Sequence, residues 1–100
     1  MSISVRRTEN EIAIELGDRF DFSVVDQFRK SYESLGDVGE NAVTIDMKHT
    51  RYIDSSALGM LINARKYFSE KNIKIILCNP GEQIKKVLSI SRFDKKFEIH

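Results

Sequence analysis

Strand-like and helix-like segments take turns along this 100-residue chain, and that alternation limits the folds open to it. In Glu11-Ile12-Ala13-Ile14-Glu15-Leu16, apolar side chains recur at every second position, the period of a strand with one wet face. Residues 3–7 read as its partner, joined through Thr8-Glu9-Asn10, where asparagine tolerates the positive φ of a hairpin. Ser23-Val24-Val25-Asp26 then reads as a helix start, with Ser23 as cap and Asp26 facing free backbone N–H groups. Val25, Phe28, Tyr32 and Leu35 follow at helical spacing, and Gly36 suits the left-handed position that closes a helix. Gly36 to Asn41 reads as a turn.

The pattern repeats. Ala42-Val43-Thr44-Ile45-Asp46-Met47 is a third strand, Lys48 to Asp54 a connection, and residues 56–68 a second helix. Its expected inward stripe is Ala57, Leu58, Leu61, Ile62, Ala64 and Phe68. Residues 73–78 form a fourth strand. Asn79-Pro80 predicts a third helix with Asn79 as cap and Pro80 at the first helical position, its buried side being Ile84, Val87 and Leu88. Lys96 to Ile99 adds a short last strand. The expected order is β-β-α-β-α-β-α-β. Strands separated by helices pair in parallel through right-handed crossovers, so the fold class is α/β with a mixed, mostly parallel sheet of four to five strands. Residues 1–100 are expected to form a single domain, a size that sustains its own core.

Charge and composition narrow the function classes. Sixteen Lys and Arg against fifteen Asp and Glu leave a formal charge of +1, without the clustered cations that a nucleic-acid- or membrane-binding module needs. The absence of a long apolar run argues against a membrane span, and the start of the chain shows no apolar signal core. One cysteine, Cys78, excludes a disulfide framework within the chain and a cysteine-cluster zinc site. The expectation is a cytoplasmic monomer without metal or cofactor.

Enzyme constellations are equally scarce. No phosphate-cradling loop, dinucleotide fingerprint or zinc-protease motif occurs. His49 could approach Ser55 or Ser56, but no glycines frame either serine as a nucleophile elbow, and a solvated loop residue is the plainer reading. Cys78, ending a strand, reads as a small apolar filler. Lys85-Lys86 and Lys95-Lys96 read as solvated surface, with phosphate binding as the alternative.

The informative stretch is Tyr52-Ile53-Asp54-Ser55-Ser56-Ala57-Leu58-Gly59-Met60-Leu61, at the hand-over from a strand's carboxyl end to a helix, where parallel sheets build sites. Capping alone accounts for one polar residue, Asp54 or Ser55. It leaves unexplained a glycine inside the helix, which costs about 1 kcal/mol relative to alanine. Gly59 lies one turn beyond the serines, and its bare surface lets a partner or a kinase approach them. Gly59, Met60, Asn63 and Tyr67 share the Ser56 side of the helix, so Met60 and Tyr67 are expected to be at least partly exposed and to form a docking patch.

Asp54-Ser55-Ser56-Ala57-Leu58-Gly59, following the strand Val43-Thr44-Ile45-Asp46, resembles the STAS domain, in particular the anti-sigma factor antagonists. The element order agrees over nearly the whole chain. The resemblance implies a phosphorylated serine at Ser56, with Ser55 the alternative, and an acidic neighbour at Asp21 in Arg19-Phe20-Asp21-Phe22. Ala57 stands where the family commonly has glycine. It further implies a switch rather than an enzyme. The unphosphorylated form binds a GHKL-type serine kinase, often an anti-sigma factor; ATP-dependent phosphorylation releases it, and a PP2C-type phosphatase restores it. The governed pathway is left open among sigma-factor control, biofilm formation and motility. The rival implication is a non-switching subunit of a lipid- or anion-transport complex, and a nucleotide-binding sensor is a further one.

Overall fold

The computed structural model describes residues 3–39 and 42–100. Met1, Ser2 and the end of the expected turn, Glu40-Asn41, lie outside the described residues. The chain runs through β1 (Ile3–Arg7), β2 (Ile12–Leu16), β3 (Arg19–Phe20), a 3-10 turn (Phe22–Val24), α1 (Val25–Glu33), β4 (Val43–Asp46), β5 (Tyr52–Ile53), α2 (Ser55–Ser69), β6 (Ile75–Cys78), α3 (Glu82–Ile90), a second 3-10 turn (Phe93–Lys95) and β7 (Glu98–Ile99). Five strands form one sheet in the order β1-β2-β4-β6-β7. β1 is antiparallel to β2, and every other pair in that sheet is parallel. The alternating α/β fold read from the sequence is therefore present. A separate parallel pair, β3 with β5, was not foreseen.

Register explains the core. Ile12, Val43 and Ile75 stand side by side across three strands, as do Ile14, Ile45 and Leu77, and all six are buried. Full burial of each such side chain contributes roughly 1.5–3 kcal/mol. On the opposite face, Thr44 and Ile76 are only half-buried, so one side of the sheet is less covered than the other. Arg7 anchors the sheet edge to the end of α1, its guanidinium donating to the Leu35 carbonyl at 2.7 Å and the Asp37 carbonyl at 2.6 Å.

α2 buries Ala57, Met60, Leu61, Ala64 and Phe68. These lie three, four, seven and eleven positions on from Ala57, one continuous helical face. The expected phase was therefore off by part of a turn. Met60 is 5% exposed rather than on the surface, and Ile62, assigned inward, is 41% exposed. An aromatic series ties the layers together. Phe20 meets Phe28 edge-on at 4.9 Å, Phe28 meets Tyr32 at 5.4 Å, and Tyr32 meets Tyr67 at 5.0 Å and Phe68 at 5.6 Å.

Two helix starts differ from expectation. Ser23 does not cap α1; Asp21 caps the 3-10 turn ahead of it, and the Ser23 hydroxyl donates to that carboxylate at 2.6 Å. α3 begins at Glu82 behind Gly81, not at Pro80. Asn79 adopts φ +59° and turns its amide to the Asp46 carboxylate at 3.2 Å, so it cannot cap a helix. Gly36 takes the left-handed conformation expected of it, at φ +68°.

Candidate functional site

The site is assembled where the 47–54 connection meets the turn after β2. Thr50, buried, donates its hydroxyl to the Gly17 carbonyl at 2.8 Å. The Arg51 and Tyr52 N–H groups both reach the Asp18 carbonyl, at 2.8 and 3.2 Å. The small β3–β5 ladder follows, pairing Arg19 with Tyr52 and Phe20 with Ile53. Phe20, fully buried, pins this ladder to the core. The two segments that carry Asp21 and Asp54 therefore arrive together and in register.

Asp54 links them. One carboxylate oxygen accepts the Ala57 N–H at 2.9 Å and caps α2, while the other accepts the Phe22 N–H at 3.3 Å across 32 residues of chain. Asp54 thus lies against the residue that follows Asp21. The Asp21 carboxylate accepts the Ser23 hydroxyl and N–H and pairs with Arg19 at 3.3 Å. The hydrogen bond from the Ser23 hydroxyl, foremost, holds the Asp21 carboxyl below the usual carboxylate range.

Ser55 and Ser56 occupy the first two positions of α2. Ser55 is exposed and Ser56 half-buried, and neither hydroxyl has a hydrogen-bond partner among the described residues. Their position at the amino end of a 15-residue helix gives a field that favours negative charge. Gly59 is exposed one turn on, and a methyl group placed there would meet nothing within 4 Å. Asn63 is exposed on the same face.

Two residues expected in the contact patch are elsewhere. Ala57 is fully buried and Met60 nearly so, because both belong to the inward face of α2. Tyr67 is half-buried within the aromatic series, with the Lys71 ammonium 5.1 Å from its ring centre. Three exposed apolar side chains that sequence reasoning missed take their place: Phe22 at 69%, Tyr52 at 44%, and Ile62. The Arg19 guanidinium lies 4.3 Å from the centre of the Tyr52 ring. No periodic signal in the sequence marks Phe22: an extended chain would put it on the same side as the buried Phe20, and the 3-10 turn beginning at Phe22 turns it outward instead. His49 is exposed in its loop and has no hydrogen-bond partner among the described residues. Among those residues, no three His, Cys, Asp or Glu side chains gather as a metal site, and no helix is long and apolar enough to cross a membrane.

With this geometry in hand, comparison places the chain. The STAS domain model matches residues 2–100, and the chain belongs to the STAS domain family. A STAS-domain containing protein of Pseudomonas aeruginosa is 36% identical over 89 residues, spanning 89% of this chain and 87% of that protein. Sulfate transporter 3.2 of Arabidopsis thaliana is 29% identical over 69 residues, spanning 69% of this chain but 11% of the transporter. An anti-sigma-factor antagonist (STAS) domain protein from Planctomyces limnophilus shares the fold at a TM-score of 0.82 with 18% identity, covering 98% of this chain and 87% of its own. The anti-sigma factor antagonist SpoIIAA does so in its unphosphorylated form at 0.74 and 19% identity, covering 98% and 86%. The phosphorylated form of SpoIIAA from Bacillus superposes at 0.72, also with 19% identity, covering 98% and 90%.

Proposed function

We propose that this chain is a phosphorylation-controlled docking module of the anti-sigma factor antagonist type. In this reading it binds a GHKL-type serine kinase or anti-sigma factor while Ser56 is unmodified, and phosphorylation of Ser56 releases it. A PP2C-type phosphatase reverses the modification. The chain itself performs no catalysis. The observation that carries the reading is the pair of unengaged hydroxyls at the start of α2, with a bare Gly59 one turn on and the exposed Phe22 tied through its N–H to the adjoining Asp54. Support also comes from SpoIIAA, a structural neighbour known in both phosphorylated and unphosphorylated forms.

Charge explains how such a switch works without refolding. The helix terminus tolerates a phosphate, because the Ser55 and Ser56 N–H groups find no acceptor among the described residues. The modification adds about −1.5 to −2 charges at neutral pH. It does so beside Asp54, whose oxygens are already committed to Ala57 and Phe22. In a docked, partly dry interface an unpaired charge costs roughly 2–5 kcal/mol. Affinity then falls about 30-fold to a few thousand-fold. Asp54 fixes the acceptor segment, and Asp21 holds the neighbouring turn that presents Phe22.

The test is phosphosite mapping. The protein is incubated with ATP and each GHKL-type serine kinase of its source organism, and the product is read by mass spectrometry. Phosphate on Ser56 is the expected result. No modification of Ser55 or Ser56 by any of them overturns the reading. The similarity to a sulfate transporter favours a second reading, a fixed subunit of an anion- or lipid-transport complex. Constitutive co-purification with a transport protein, insensitive to ATP, would establish that one instead.

A further inference from the structure

One cavity lies away from the serines. It is a groove of about 520 Å³ between the carboxyl half of α2, the turn into β6 and the last strand. Arg65, Ser69, Asn72, Lys74, Lys96 and Glu98 supply its polar lining, over Ile73 and Ile75. Three cations thus face one carboxylate, on a chain whose net charge is only +1.

The cations are not equally engaged. Lys74 and His100 both pair with Glu98, which satisfies that carboxylate. The Lys96 ammonium has no ion pair or hydrogen bond among the described residues. The Arg65 guanidinium has none either; it stands 5.9 Å from the centre of the Phe97 ring, a contact that leaves its N–H donors unused. The Ser69 hydroxyl and the Asn72 amide likewise lack partners. Of the carbonyls at the end of α2, which would repel an anion, those of Lys66, Phe68 and Ser69 are occupied, accepting from Glu70, from Lys71 and Ile73, and from Asn72. Unused donors thus outnumber acceptors around a space large enough for a small organic molecule.

We propose that this groove binds a small multivalent organic anion, its phosphate or carboxylate groups held by Arg65 and Lys96 with Ser69 and Asn72 donating, and its carbon skeleton on Ile73 and Ile75. Guanidinium suits such oxygens because it presents paired donors in one plane. Along α2, Arg65 is nine residues and Ser69 thirteen residues from Ser56, roughly 14–20 Å at the helical rise. The two sites can therefore be occupied together, and this inference stands whether or not Ser56 is a switch.

Pyrophosphate and citrate, titrated separately at constant ionic strength into the 15N-labelled protein, test the proposal and distinguish phosphate from carboxylate recognition. Saturable shifts confined to the amides around Arg65, Ser69, Asn72, Lys74 and Ile75 are expected with at least one of them, leaving Ser55 to Gly59 unmoved. Because Arg65 also touches Phe97, the exposed Lys96→Gln variant is the cleaner control, and it should weaken binding about tenfold. Non-saturating shifts with both anions, shifts equally strong around Lys85 and Lys86, or undiminished affinity in Lys96→Gln overturn it.

Discussion

Asp54 holds Phe22 in place: the same carboxylate that caps α2 through Ala57 accepts the Phe22 N–H at 3.3 Å and joins two segments 32 residues apart. Replacing Asp54 by alanine removes both bonds. The expected loss is about 1–2 kcal/mol, the range for a helix cap. Faster hydrogen exchange at the Phe22 amide should accompany it, since that proton loses its acceptor. Urea denaturation and exchange measured together check this. A loss within about 0.5 kcal/mol, as at an ordinary surface position, would show that the bridge carries no structural weight.

Gly59 separates stability from binding. Its backbone is helical and an added methyl meets nothing, so Gly59→Ala should stabilise the protein by about 0.5–1 kcal/mol. The same methyl fills the gap beside the serines, and partner affinity should fall while the melting temperature rises. Unchanged affinity in a stabilised variant would mean that no surface approaches this turn of α2.

Phe22 is 69% exposed, so its truncation to alanine should leave stability within about 0.5 kcal/mol of the parent. As an aromatic anchor at the centre of the proposed interface, it should cost more than about 1 kcal/mol of partner binding. Calorimetric titration of the kinase or anti-sigma partner into both proteins reads the difference.

Acid sensitivity should trace in part to Asp46. Burial pushes its carboxyl up, but hydrogen bonds from the Lys48 N–H and the Asn79 amide outweigh that, and the group lies below its ordinary value. A carboxyl lowered by folding stabilises the folded state above its unfolded value, about 3.9, and that contribution disappears as pH falls through the lower folded value. The gap in melting temperature between the parent and Asp46→Asn should therefore be full near pH 6 and shrink toward pH 3. A gap independent of pH would assign the effect to packing instead.

The strands and α2 were legible because their patterns are local: Ile12, Ile14 and Leu16 alternate, and α2 carries a periodic apolar face. The errors have long-range causes. Asn79 reads as a helix cap until Asp46, 33 residues away, claims its amide. Ser23 reads as a cap until Asp21 takes its hydroxyl. The β3–β5 ladder has two residues per strand, too few for a period to register. Met60 and Ile62 exchanged roles because both border the apolar stripe, and only packing against α1 and the sheet fixes the helix rotation. The Asp54-Ser55-Ser56 segment could be located from sequence, whereas Phe22 and Tyr52 could not, since nothing in an apolar residue announces that it will face solvent.

Phosphate on Ser56 is the centre of the account, and calorimetric titration of the kinase or anti-sigma partner into the unmodified and the Ser56-phosphorylated protein tests it most directly. The account predicts affinity lower by about 30-fold or more after phosphorylation, with the circular dichroism spectrum and folding unchanged. Equal affinity of the two forms would contradict it.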